Sequence, residues 1–124
     1  ATVVGVTEFG DVIAHAELDL GNGRLQLGEP SPEYHLAPQS TTDDACYSTA
    51  LYCPDVDAVV ERAVAAGAVL REPVTDFVSG DRYGSIRDPF GVRWSIMTRI
   101  EDIPDAESAR RVEEWAAQYA ATQG

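Results

Sequence analysis

His15 and Glu17 lie two residues apart in the alternating run Val12 to Leu20, so an extended strand puts both side chains on one face. An imidazole beside a carboxylate can carry a proton near neutral pH or help to hold a metal ion. The competing reading is a histidine hydrogen-bonded within a sheet. His35 falls in a proline-rich loop, as a surface residue or at a pocket rim. Cys46 and Cys53 have neither a CxxC spacing nor the density of a disulfide framework, and read as free thiols in a reducing cytoplasm. No serine sits in a GxSxG elbow and no glycine-rich phosphate loop is present, so covalent hydrolysis and nucleotide binding have no support.

These residues need a scaffold, and hydrophobic periodicity supplies one. Thr2 to Phe9 has the β-branched content of a strand. Val12 to Leu20 alternates, with Val12, Ala14, Ala16 and Leu18 on one face and Ile13, His15, Glu17 and Asp19 on the other. After Gly21-Asn22-Gly23, Arg24 to Glu29 returns with Leu25 and Leu27 inward. Prolines and hydroxyl residues then break all periodicity, which makes residues 30–47 a linker. Ser48 to Cys53 is a short strand, and Asp55 can cap a helix with Val56, Val59, Val60, Ala63 and Val64 on one stripe and Gly67 at its left-handed end. Ala68 to Glu72 forms a further strand. A last helix, capped at Asp105, carries Val112, Trp115, Ala116, Tyr119 and Ala120 as an apolar stripe that must bury against something.

The chain has 124 residues, enough for one domain with a real core, and 44% of them are apolar. Its 21 acidic residues against nine basic ones, all arginine, give a formal charge of −12. Such a surface cannot neutralise phosphates, so a nucleic-acid partner is excluded, whereas a cationic or neutral ligand is favoured. No apolar run approaches the roughly 18 to 20 residues of a membrane span, and no basic segment leading an apolar one marks a signal peptide. The expected location is the cytoplasm, with no membrane partner.

The stretch Gly80 to Asp102, GDRYGSIRDPFGVRWSIMTRIED, is the most telling. It encodes a hairpin turning at Asp88-Pro89-Phe90-Gly91 between the strands Arg82 to Arg87 and Val92 to Ile100. Together with PDVDAVVERAVAAGAVLREPV it resembles the closing module of the glyoxalase, bleomycin-resistance and extradiol-dioxygenase superfamily (vicinal oxygen chelate fold), in its bleomycin-resistance-like branch. The resemblance covers Asp11 to about Ala120. It implies an α+β fold of paired βαβββ modules forming a cup-shaped sheet. Residues 1–29 would be a partial first module lacking its opening strand and helix, 30–47 the linker, 48–100 the second module and 101–124 a C-terminal helix. About 30 residues of a normal first module would then precede Ala1, unless a partner completes the sheet.

Metal-dependent members of that family carry His, Gln or Glu on the first and last strands of each module. By position the second-module ligands would be Ser48 and Ser95, both poor donors for zinc or iron. In the first module Glu29 falls near the last-strand position, and His15 could add an unusual ligand. The expected metal and cofactor are therefore none, with His15 and Glu29 as weak metal candidates. With Ser95 facing the cup, strand alternation brings Arg93, Met97 and Arg99 to the same side, while Ser48 brings Ala50 and Tyr52. The expected ligand-binding set is His15, Ser48, Ala50, Tyr52, Arg93, Ser95 and Met97, with no catalytic residue. Trp94 and Trp115 are expected on other faces, packing helices to sheet.

Three functions stay open. The resemblance implies a metal-free homodimer that sequesters a small molecule, such as an antibiotic or other natural product. The alternative is a divalent-metal lyase, isomerase or dioxygenase of the same fold. An interaction module completed by another chain is the third.

Overall fold

The computed structural model describes residues 1–124, which divide into two compact units, Ala1–Gln39 and Ser40–Gly124. The class is α+β. No helix is long and apolar enough to cross a membrane.

The first unit is a three-stranded antiparallel sheet in the order β1 (Thr2–Phe9), β2 (Val12–Asp19), β3 (Arg24–Leu27). Ala16 opposes Leu27 and Leu18 opposes Leu25, so the apolar residues that alternate in the sequence share one face. Only Ala16 is buried, and Val3, Val6, Phe9, Val12 and Leu27 stay exposed. Residues 30–39 follow as a connection with a single 3-10 turn, Pro32–Tyr34.

The second unit runs β4 (Thr49–Tyr52), α1 (Val56–Ala65), β5 (Val69–Asp76), β6 (Asp81–Arg87), β7 (Arg93–Arg99) and α2 (Asp105–Gln123). Its sheet has the order β4-β7-β6-β5, with β4 parallel to β7 and the other pairs antiparallel. Asp55 caps α1 by accepting the Ala58 N–H at 3.1 Å, and Gly67 takes φ 110° just beyond the helix, where a side chain would be strained. Thr98 ties this end to the sheet, since its Oγ1 accepts the Val56 N–H at 2.8 Å and donates to the Cys53 carbonyl at 2.9 Å. Val56 and Val60 of α1 pack with Ala68, Ile86 and Ile96 as the core, flanked by Trp94 and Val74.

At the hairpin, Asp88 Oδ1 accepts the N–H groups of Phe90 and Val92 at 2.9 and 3.0 Å, and Oδ2 accepts Trp94 Nε1–H at 2.9 Å. Gly91, at φ 96°, completes the turn.

Three expectations are corrected. The strand after α1 does not stop at Glu72 but continues through Pro73 to Asp76. Proline is tolerated there because β5 is an edge strand whose register shifts on both sides of Glu72. Asp105 is the first helical residue of α2 rather than its cap, and Pro104 stands before it without a side-chain bond. Finally, the stripe of α2 is not buried, as no residue of that helix is. Trp115 meets Phe77 edge-on at 5.0 Å and stacks on Tyr119 at 5.5 Å instead of wedging a helix against the sheet core.

Candidate functional site

Strand parity sorts the second unit's sheet into two faces. Ile86 and Ile96 point to α1, so their neighbours Ser85, Ser95 and Met97 point the other way. The register sets Asp81 beside Arg99, Tyr83 beside Met97, Ser85 beside Ser95 and Arg87 beside Arg93, while β4 adds Ala50 beside Ser95 and Tyr52 beside Met97.

Two hollows open on this face. The first encloses about 570 Å³ and is walled by Phe77, Tyr83, Met97 and Trp115 with the carboxylates of Glu72 and Asp81. The second, about 300 Å³, is walled by Cys46, Tyr47, Ser48, Arg93 and Ser95 and shares Tyr83 with the first.

Polar contacts fix the side chains between them. Tyr83 donates its hydroxyl to Glu72 Oε2, and burial followed by that bond pushes its phenol above the usual range. Arg93 donates Nε–H to the fully buried Ser85 Oγ, and its Nη2 stands 3.7 Å from Glu72. Ser95 donates to Ser48 at 3.3 Å. Asp81, only 8% exposed, accepts at Oδ2 from the Tyr52 and Ser79 hydroxyls at 3.1 and 3.3 Å. Burial, then the bond to Asp81, raises the Tyr52 phenol as well. Asp81 Oδ1 is buried and has no hydrogen bond. Arg99 Nη1 approaches it to 3.5 Å as an ion pair, but that guanidinium is aimed at the carbonyls of Ser79 and Ile103, at 3.2 and 2.9 Å. The contact is therefore charge compensation rather than a directed bond.

Of the residues singled out in the sequence, Ser48, Arg93 and Ser95 wall the smaller hollow and Met97 the larger one. Ala50 and Tyr52 share the sheet face but wall neither. His15 and Glu29 belong to the other unit, where His15 Nε2 pairs with Gln26 Oε1 at 2.9 Å and the Glu29 carboxylate accepts the Ile13 N–H. Sequence reasoning missed Glu72, Phe77, Asp81, Tyr83 and Ser85. The alternation of Asp81, Tyr83 and Ser85 was a signal for three of them, had β6 been phased against β7. Trp115 was expected away from the cavity and instead forms its wall.

Residues 48–97, from the start of β4 almost to the end of β7, match the model of the Glyoxalase At5g48480-like C-terminal domain. TioX from Micromonospora sp. ML1 superposes with a TM-score of 0.59 at 27% identity, covering 79% of this chain and 78% of that one. The second unit thus matches a glyoxalase domain, and the chain as a whole resembles the glyoxalase superfamily in fold. PA1353 from Pseudomonas aeruginosa, at 24% identity and TM-score 0.58 over 80% of this chain and 79% of that one, shares the fold. Uncharacterized proteins of Mycobacterium bovis and Mycobacterium tuberculosis are each 32% identical over 95 residues, covering 73% of this chain and 62% and 55% of theirs. The chain thus spans less than two thirds of the length of the curated relatives it matches.

Metal-dependent members of that superfamily hold a divalent ion, and this chain's donors can be compared with what one needs. Ser48 and Ser95, which stand where the resemblance puts ligands, are neutral hydroxyls bonded to each other. No three His, Cys, Asp or Glu side chains come together as a ligand set. The residues present do not fit zinc or iron, which need several fixed nitrogen, sulfur or carboxylate donors.

Proposed function

We propose that this chain binds and sequesters a small organic molecule on the open face of its second unit, without a metal. The observation that carries this reading is the 570 Å³ hollow bounded by Phe77, Tyr83, Met97 and Trp115, a size and character suited to a drug-like molecule. Aromatic rings and a polarizable thioether favour a flat apolar body, and a few carboxylates orient it. Sequestration asks for no nucleophile or general base. An antibiotic or other natural product belongs to this ligand class.

A homodimer fits the same reading. The three-stranded sheet of the first unit exposes Val3, Val6, Phe9, Val12 and Leu27, an apolar surface that a second copy would cover. Light scattering across a hundredfold dilution tests it, and a persistent monomer that still binds ligand contradicts it.

Protein purified without chelator or affinity tag, analysed by plasma emission spectrometry and native mass spectrometry, tests the function itself. Less than a tenth of an equivalent of transition metal, together with saturable uptake of a planar organic probe, is expected. One equivalent of zinc, iron, nickel or manganese per chain would return the metal-dependent lyase, isomerase or dioxygenase to first place.

A further inference from the structure

We propose, resting on the small-molecule reading above, that the ligand is bipolar: a planar apolar body with an amine end in the aromatic hollow and a carboxylate end at Arg93. The two hollows are opposite in charge. The larger is walled by two carboxylates, Glu72 and Asp81, and by three aromatic rings, with no arginine among its lining residues. Aromatic faces and carboxylates together select a cation or an N–H donor. Asp81 is more than nine-tenths buried and its Oδ1 already faces Arg99 at 3.5 Å, so the half-exposed Glu72 is the carboxylate open to an ammonium group, with Asp81 adding to the negative character of the wall.

The smaller hollow reverses this arrangement. Its lining offers the Arg93 guanidinium and the hydroxyls of Ser48 and Ser95, with no carboxylate among them. Arg93 commits Nε–H to Ser85, and its terminal nitrogen lies 3.7 Å from Glu72, beyond hydrogen-bond length. A ligand carboxylate can therefore engage the outer edge of the fork. Glu72 loses little when Arg93 turns to the ligand, because Tyr83 already donates to it.

One molecule can reach both ends. Tyr83 is a wall of each hollow, and Ser95 and Met97, one from each, are successive same-face residues of β7, about 7 Å apart along the strand. A rigid body of two rings spans that distance, and joining the two ends in one molecule makes the second contact intramolecular.

Three biphenyls test the inference by calorimetric titration: one carrying an aminomethyl group on one ring and a carboxylate on the other, and two carrying only one of those groups. The doubly substituted biphenyl is expected to bind at least about tenfold tighter than either singly charged one. Arg93→Gln should cost the carboxylate-bearing probes about tenfold and leave the aminomethyl biphenyl unchanged, which also shows that the variant is folded. Glu72→Gln, which keeps an acceptor for Tyr83, should do the reverse. Equal affinity of all three biphenyls, or loss of affinity for every probe alike in both variants, overturns the bipolar ligand and leaves small-molecule binding standing. Binding of none of the three overturns both.

Discussion

On one face of the four-stranded sheet, Ile86 and Ile96 close against Val56 and Val60 of α1 with hardly any solvent contact; on the other, residues one step along the same strands surround open space. The same backbone thus carries a dry core and a wet recess. The first face has its cover fixed by an Asp55 cap, a Thr98 link and an Arg82 fork that grips Asp57 of α1 and Asp76 of β5 at 2.7 and 2.8 Å. The second is bordered by α2, which buries no residue and reaches the rest of the unit through Trp115 on Phe77, Ser108 on the Ser79 carbonyl and Arg111 on Glu101. A face that its own unit leaves open, furnished with rings and charges, is where the proposed ligand would bind.

The sharpest way to break this comparison is to cut the same strand on each side. Ile96→Ala should lower unfolding free energy by about 2 to 5 kcal/mol in urea titration, since Ile96 is 2% exposed and its loss leaves a cavity under α1. Probe affinity of the folded fraction should not move. A small stability loss would mean that α1 does not cover the core.

Next in size is Asp88→Ala, which leaves the N–H groups of Phe90 and Val92 and the indole of Trp94 without their acceptor. A loss of about 1 to 3 kcal/mol is expected in the same assay, again with affinity unchanged. Met97→Ala is the counterpart on the open face. It should weaken binding of the doubly substituted biphenyl about tenfold through lost burial and cost under about 1.5 kcal/mol of stability. If Met97→Ala proves as destabilising as Ile96→Ala, the two faces are not different in kind.

The smallest effect concerns the border helix. Arg110 and Arg111 hold the Glu107 carboxyl at about 2 against an ordinary 4.5, and Arg111 lowers Glu101 in the same way. A depressed folded value stabilises the folded helix, with its Arg111 tie to Glu101, above pH 4.5 and loses that contribution as pH falls from 4.5 towards 2. Glu101 and Arg110 are exposed and Glu107 and Arg111 half-buried, so the effect is modest and screened by salt. Trp115 emission, recorded in Trp94→Phe protein, should shift to the red over that acidic range before the far-ultraviolet dichroism of the sheet changes. Simultaneous change of both signals would tie α2 to the core more firmly than its contacts suggest.

Much of this was legible in the sequence because the physics involved is local. Asp88-Pro89-Phe90-Gly91 specifies its own turn, Asp55 and Gly67 mark the two ends of α1, and a period of two assigns Ser95 and Met97 to one face and Trp94 to the other. The rest depends on contacts between distant segments. Pro73 reads as a strand end until β5 is known to be an edge. The stripe of α2 announces an apolar face but not its neighbour, so Trp115 could be placed at the cavity only by seeing Phe77 beside it. Tyr83 and Asp81 carry no motif, and their role comes from the register that sets them beside Met97 and Arg99.

The central claim, that a small molecule occupies the open face, meets its most direct test at Met97, the single methionine of the sequence and a wall of the larger hollow. Methyl-labelled methionine gives one side-chain NMR resonance at that position, to be followed while the doubly substituted biphenyl is titrated in. The account predicts a saturable shift of that resonance with the same midpoint as the calorimetric titration, and ring-current displacement from the bound rings. A Met97 methyl that stays in place while calorimetry records stoichiometric binding would put the ligand elsewhere and contradict the account.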